Sequence, residues 1–168
     1  AATAAEHGRF NLLAWDGGSL TFAGNSPAFS THLVEPGLHA MSNGAFDATW
    51  PKSTFATRAL SAWLSSPCAN VDDGELPASV EPLFAALRDS TRAADGELPD
   101  TGVGLELERE LSPPFVLNSR YGTRCSSIVL AGSDSLLFAE RRFDAEGNTV
   151  GTSFMQLPRM DAGAARSM

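Results

Sequence analysis

Apolar positions recur with two different periods along this chain, and the switches between them divide it into β, α and β segments. Phe10 to Ala14 and Leu20 to Ala23 are short apolar runs separated by Trp15-Asp16-Gly17-Gly18. Asp-Gly supplies the positive φ that a tight turn needs, so the two runs predict a hairpin. A third strand is predicted at Thr31 to Val34 and a fourth at Leu38 to Ser42, with Glu35-Pro36-Gly37 turning between them. The period then changes. After Trp50-Pro51-Lys52, residues Phe55, Ala56, Ala59, Leu60, Trp63 and Leu64 fall on one face at the helical spacing. Proline fixes φ near a helical value, lacks a donor that the first helical residue leaves unpaired, and pushes Trp50 out of the α region. This helix is predicted to start at Pro51 and to stop near Ser65, ahead of Ser66-Pro67.

Asn70 to Leu76 reads as an acidic loop, and Ser79 as the N-cap of a second helix. Glu81 and Pro82 would fall in its first turn, with Val80, Leu83, Phe84 and Leu87 as the apolar stripe. Residues 90 to 120 are the least regular part, holding a short helix from Leu105 to Leu111 closed by Ser112-Pro113-Pro114. Alternation then returns. Cys125 to Ala131, Ser135 to Phe143 and Thr149 to Leu157 predict three hairpin-linked strands, joined by Gly-Ser-Asp-Ser and Asp144-Ala145-Glu146-Gly147-Asn148. The order ββββ-αα-βββ defines an α+β class, with helices packed on antiparallel sheet.

With 168 residues and 43% apolar content the chain can bury a core. Its net charge of -8 and the absence of any Lys/Arg cluster exclude nucleic acid as a natural partner. No apolar run approaches the ~18 residues of a membrane-spanning helix. Cys68 and Cys125 lie far apart without metal-site spacing, which fits two free thiols and a reducing, cytoplasmic setting.

Several residues carry chemistry, each with a plainer reading beside it. Asn43 could donate to a developing oxyanion, but Asn-Gly is first of all a turn. Arg124 enters an apolar strand and needs a partner there, either a ligand carboxylate or an internal acid such as Asp47 or Asp100. Cys125 reads as a small buried core residue rather than a nucleophile. His32, His39 and Met41 have no metal or haem spacing and read as strand residues. Leu98-Pro99-Asp100-Thr101-Gly102 matches a sortase recognition pattern without the apolar segment and basic tail that sorting requires, so Asp100 reads as rim or capping chemistry. The charges in Phe138 to Asp144 read as a solvated face.

Two stretches carry a family resemblance. The run PGLHAMSNGAFDATWPK, from Pro36 to Lys52, resembles the "pGvyglSNgllDtpWPKv" signature of the NRDE family, also called the transport and Golgi organization protein 2 family. Tyr121-Gly122-Thr123-Arg124-Cys125-Ser126-Ser127 resembles its "yGTRsSTvll", and the Leu98 run its "LPDTGv" loop. The resemblance covers roughly residues 9 to 158. It implies an N-terminal-nucleophile-hydrolase-like αββα sandwich, to which this chain would contribute antiparallel sheets and one helical layer. Ala1 to Gly8 have no periodicity and read as a frayed or remnant end, and 159 to 168 have no pattern and read as a disordered tail, leaving residues 9 to 158 as one domain. The Asn-Arg-Asp-Glu run behind an N-terminal cysteine is missing, so the chain reads as the C-terminal portion, partnered by the missing N-terminal portion and leaving bare sheet edges. An organellar location stays open on that ground.

On the matched motifs the candidate binding or oxyanion residues are Asn43, Asp47, Trp50, Lys52, Asp100, Tyr121, Thr123 and Arg124. In related amidases an Asn after the strand equivalent to Leu38 to Ser42 belongs to the active centre, so Asn43 and Arg124 are expected at one cleft mouth. The residues themselves point to no cofactor. The resemblance implies a protein that binds or hands on a small molecule, in secretory-pathway or Golgi organisation, with haem as a possible cargo or lipid-related trafficking as its setting. The alternative is a hydrolase of a non-peptide C–N bond whose nucleophile lies upstream.

Overall fold

The computed structural model describes residues 6–70, 75–118 and 120–158. Residues 1–5, most of the acidic loop and the expected tail at 159–168 lie outside the described residues. The chain divides into two units, Ala1–Ala48 and Thr49–Met168, and each is described by itself.

In the first unit, β1 (Asn11–Trp15), β2 (Leu20–Gly24) and β3 (Ser30–Val34) form an antiparallel meander in the order β1-β2-β3. The predicted hairpin closes in register, with Trp15 opposite Leu20 and Leu13 opposite Phe22. Asp16 makes the turn by accepting the amide N–H groups of Gly18 and Ser19 at 2.9 and 2.7 Å, and Gly17 takes φ 96°. Buried Phe22 packs on Phe46 and His32, with ring centroids 4.8 and 5.1 Å away. Phe46 follows Leu38 to Ser42, where a fourth strand was expected and does not form. Leu38 to Ser42 has no ladder partner, because the Ala40 N–H goes instead to the Asp47 carboxylate at 2.8 Å.

The second unit is built on α1 (Pro51–Leu64), α2 (Leu76–Leu87) and the antiparallel sheet of β4 (Cys125–Ala131), β5 (Ser135–Phe143) and β6 (Thr149–Pro158). A short α3 (Leu105–Leu111) lies between α2 and β4. The architecture is α+β, as the pattern predicts, with two small three-stranded antiparallel sheets and helices packed on the second. Helix α1 begins at Pro51 behind an extended Trp50 and is capped at Ser65, whose N–H reaches Ser61 O at 3.2 Å.

Two helical details differ from expectation. Helix α2 starts at Leu76 rather than after Ser79, because Pro77 supplies the preset φ of the first turn. Ser79 is consequently a buried helical residue, and Pro82 lies inside the helix, where it cannot donate to Ala78. The apolar face of α1 is also only partly covered. Trp63 is buried, while Phe55 and Leu64 are exposed at its edge.

The core consists of Trp63, Val80, Leu83, Phe84, Ile128 and Ala139. The β4–β5 register sets which side chains reach it. Ile128 faces Ala139 and Ser126 faces Arg141, so even positions of β4 turn to the helices and odd ones turn away. Cys125 is therefore exposed, not buried as the sequence suggested, and both cysteines are free thiols. The same register corrects Arg141. It points to the helices rather than into a solvated face, pairing twice with Glu81 of α2 at 3.0 and 2.7 Å and lying 4.3 Å from the Phe84 ring.

Replacing Phe84 by Ala removes the best-buried ring of the core and should cost about 3–5 kcal/mol. Arg141→Gln should cost only about 1–2 kcal/mol, because Glu81 is half exposed and water screens the pair. Urea unfolding of both variants checks the ranking; a larger loss in Arg141→Gln would mean that the arginine, not the ring, anchors α2.

Candidate functional site

The signature segment spans the end of the first unit and the start of the second. In the first unit, Asp47 organises the loop from Glu35 to Ala48. It adopts φ 58°, its N–H donates to Ala40 O at 2.9 Å, and its carboxylate accepts from the Ala40 N–H. The second carboxylate oxygen lies 2.7 Å from His39 Nδ1, while His39 Nε2 lies 2.8 Å from Glu35 O. Both contacts ask the ring for a proton, so the imidazolium alone satisfies them together. Accordingly the His39 pKa is raised above 6.5, chiefly by Asp47 and then by the Glu35 carbonyl. The Asp47 pKa is lowered below 3.8 by the Ala40 N–H and then by His39.

His39 is thus a loop clasp rather than a strand residue. Met41 is likewise outside any strand, whereas His32 sits on β3 as expected, its ring edge-on to Phe46. Asn43 lies in an exposed bend after Ser42, whose carbonyl accepts the Asn11 side-chain amide at 2.6 Å. It does not end a strand. A depression of about 420 Å³ in this unit is lined by Trp15, Leu33, Glu35 and His39, among others.

In the second unit, Trp50 and Lys52 bracket the start of α1, with the Lys52 ammonium 5.7 Å from the Trp50 ring centre. Lys52 is half-buried and donates to the last carbonyl of α3, Leu111 O, at 3.0 Å. Burial lowers its pKa below 10.5, and the charge of Glu108 acts in the opposite direction. Glu108 is itself buried and held by Thr101, which donates its N–H at 2.7 Å and its hydroxyl at 2.5 Å. Asp100 next to it only closes a turn onto the Gly102 N–H at 3.1 Å. Sequence reading singled out Asp100 and missed Glu108. A Glu among alternating Leu and Glu residues gives no hint that one of them turns inward.

Lys52 opens onto a pocket of about 250 Å³. Pro51, Phe55, Ala93 and Pro114 form its apolar wall, and Asp89, Thr91, Arg92, Glu97 and Ser112 contribute polar groups. Two of these are already engaged. Asp89 accepts the Thr91 N–H at 2.6 Å, and the Thr91 side chain and then this N–H keep its pKa below 3.8. Ser112 Oγ donates to Arg109 O at 2.9 Å and accepts from the Ala93 N–H at 3.0 Å.

The third group of candidates precedes β4. Thr123 ties its segment to Val116 through its N–H at 2.9 Å and its hydroxyl at 3.0 Å. Gly122 lies so close that a Cβ there would come within 2.7 Å of Asn118 O, which explains the glycine. Tyr121 is exposed. Arg124 accepts the Phe143 N–H through its carbonyl at 2.8 Å and exposes its side chain, which makes a long hydrogen bond to Thr123 O at 3.4 Å. The internal acids considered for it are otherwise engaged, Asp47 with His39 and Asp100 with Gly102. The structure thus brings Trp50 and Lys52 together, and separately Asp47 with His39. Asn43 and Arg124 belong to different units.

Among the described residues no group of three or more His, Cys, Asp or Glu could hold a metal ion, and no helix is long and apolar enough to cross a membrane. A family model for Transport and Golgi organisation 2 matches residues 1–145. The chain belongs to that family. No curated protein matches it at a significant level.

The His39–Asp47 clasp has a defined pH range. His39 has a raised pKa, so its contribution is complete below about 6.5 and disappears as pH rises through the folded value. Asp47 has a lowered pKa, so its contribution is complete above about 3.8 and disappears as pH falls through the folded value. Nuclear magnetic resonance titration should place the His39 pKa above 6.5, and Asp47→Asn should bring it down. An unchanged His39 titration in that variant would mean the carboxylate does not hold the ring.

Proposed function

We propose that this member of the Transport and Golgi organisation 2 family binds and hands on a small molecule. The observation that carries the reading is the pocket at the start of α1, where a family-signature lysine is half-buried beside an apolar wall. Volumes of ~300 Å³ and above are usual for sites enclosing drug-sized ligands, and about 250 Å³ suits something smaller. Lipid-related ligands, entering by a short acyl part, suit it better than haem. A macrocycle exceeds that volume, and His39 already spends both ring nitrogens on Asp47 and Glu35.

Arg124 is proposed as a further contact to an anionic group, since its guanidinium is exposed with five donors in a planar fork. The αββα layering that the family resemblance implies is part of the same proposal. What favours the layered arrangement is that each sheet, taken alone, has one covered and one open apolar face. On the second sheet Val129, Met155 and Leu157 are open at 56, 53 and 45% exposure. On the first, Leu12 and Leu33 are open at 52 and 63%.

Titration of the full chain with haem, followed by its visible absorption, and with acyl amides, followed by amine release, tests the reading. The expected result is no amine release above buffer. Turnover that is lost in Cys125→Ala would replace the binding role by a hydrolase. Arg124→Lys should weaken ligand binding while leaving the unfolding midpoint nearly unchanged.

A further inference from the structure

Resting on the binding role above, we infer that the Lys52 pocket selects a small monocarboxylate with a compact apolar body, its carboxylate placed against the Lys52 ammonium. The argument begins with what the lysine lacks. A partly buried ammonium needs acceptors, and among the described residues Lys52 donates to one neutral acceptor, Leu111 O, with three N–H groups to place. Lys52 also lines a cavity whose apolar wall is Pro51, Phe55, Ala93 and Pro114. An ionised carboxylate there forms a charge-assisted hydrogen bond, and its apolar body covers the ring and the prolines.

The charges around the pocket fix the valence of the ligand. Arg92 adds a second positive group at the exposed side, but Asp89 and Glu97 line the same space. Asp89 stays ionised because the Thr91 side chain and N–H hold it. Glu108 on α3 is also close enough to act on Lys52. Asp89, Glu97 and Glu108 repel each added negative charge, so a dianion meets that repulsion twice while a monocarboxylate meets it once, against the attraction of Lys52. A neutral ligand would leave the ammonium as poorly solvated as before. This separates a carboxylate from a phosphate ester on one side and from an amide on the other.

Benzoate, benzamide and phenyl phosphate share one ring and differ in head-group charge, and each is titrated against the full chain by calorimetry. Trp50 fluorescence provides a second signal, since the Lys52 ammonium lies 5.7 Å from that ring. Benzoate should bind saturably, and benzamide and phenyl phosphate at least about tenfold more weakly. Lys52→Gln should weaken benzoate about tenfold or more and leave benzamide unchanged. Comparable affinity for benzamide or phenyl phosphate in the unaltered protein, or no binding of benzoate at all, overturns the inference without any appeal to the variant. Amine release from acyl amides would instead end the binding role, so the two failures are told apart.

Discussion

The second unit depends on one buried hydrogen bond. The Trp63 indole N–H donates to Ser79 O at 2.7 Å, joining α1 to α2 above the sheet. An indole N–H without a partner at that depth costs roughly 1–3 kcal/mol, so the ring cannot pack against Val80, Phe84 and Ile128 in any orientation that loses this acceptor. Fixing Trp63 fixes the axis of α1. Lys52 lies about three helical turns away, roughly 16 Å, and that axis delivers its side chain to the end of α3. Core and pocket are therefore two ends of one rigid element.

Charged groups in this protein work under two dielectric regimes. Arg109 pairs with Asp95 at 2.8 and 2.6 Å and with Glu106 at 2.8 Å, yet both carboxylates are largely open to water. Water screens pairs of that kind, and they mainly set local geometry. Lys52 has poorer geometry and greater consequence, because it is half-buried. For a site, the less satisfied cation is the informative one.

What could be read in the sequence follows from how local each cause is. The bounds of β4 and β5, and of β6 to within a residue, were legible because Gly and Asp turns flank alternating runs. Pro51 announced α1 for the same reason. The failures involve partners distant in sequence or a choice of face. Leu38 to Ser42 has strand composition, but the Asp47 carboxylate occupies the amide that a neighbouring strand would need. Cys125 begins an apolar run, and only pairing opposite Arg142 shows that it faces away from the helices. Asn43, Asp47, Trp50 and Lys52 were found by motif. Glu108, Asp89 and Arg92 belong to no motif and are recognised only by burial or by the pocket they share.

The pairing of Thr101 with Glu108 has a consequence for the Leu98 to Gly102 run. Enzymes that cut or transfer peptides at such a run bind it as an extended strand, using the backbone amides as ladder donors. Here the Thr101 amide is already spent on a carboxylate at 7% exposure. Drawing the segment into a protease cleft would strand that carboxylate without its donors. The folded chain thus makes a cleavable-looking sequence a poor substrate by charging the cost of exposure to a different residue.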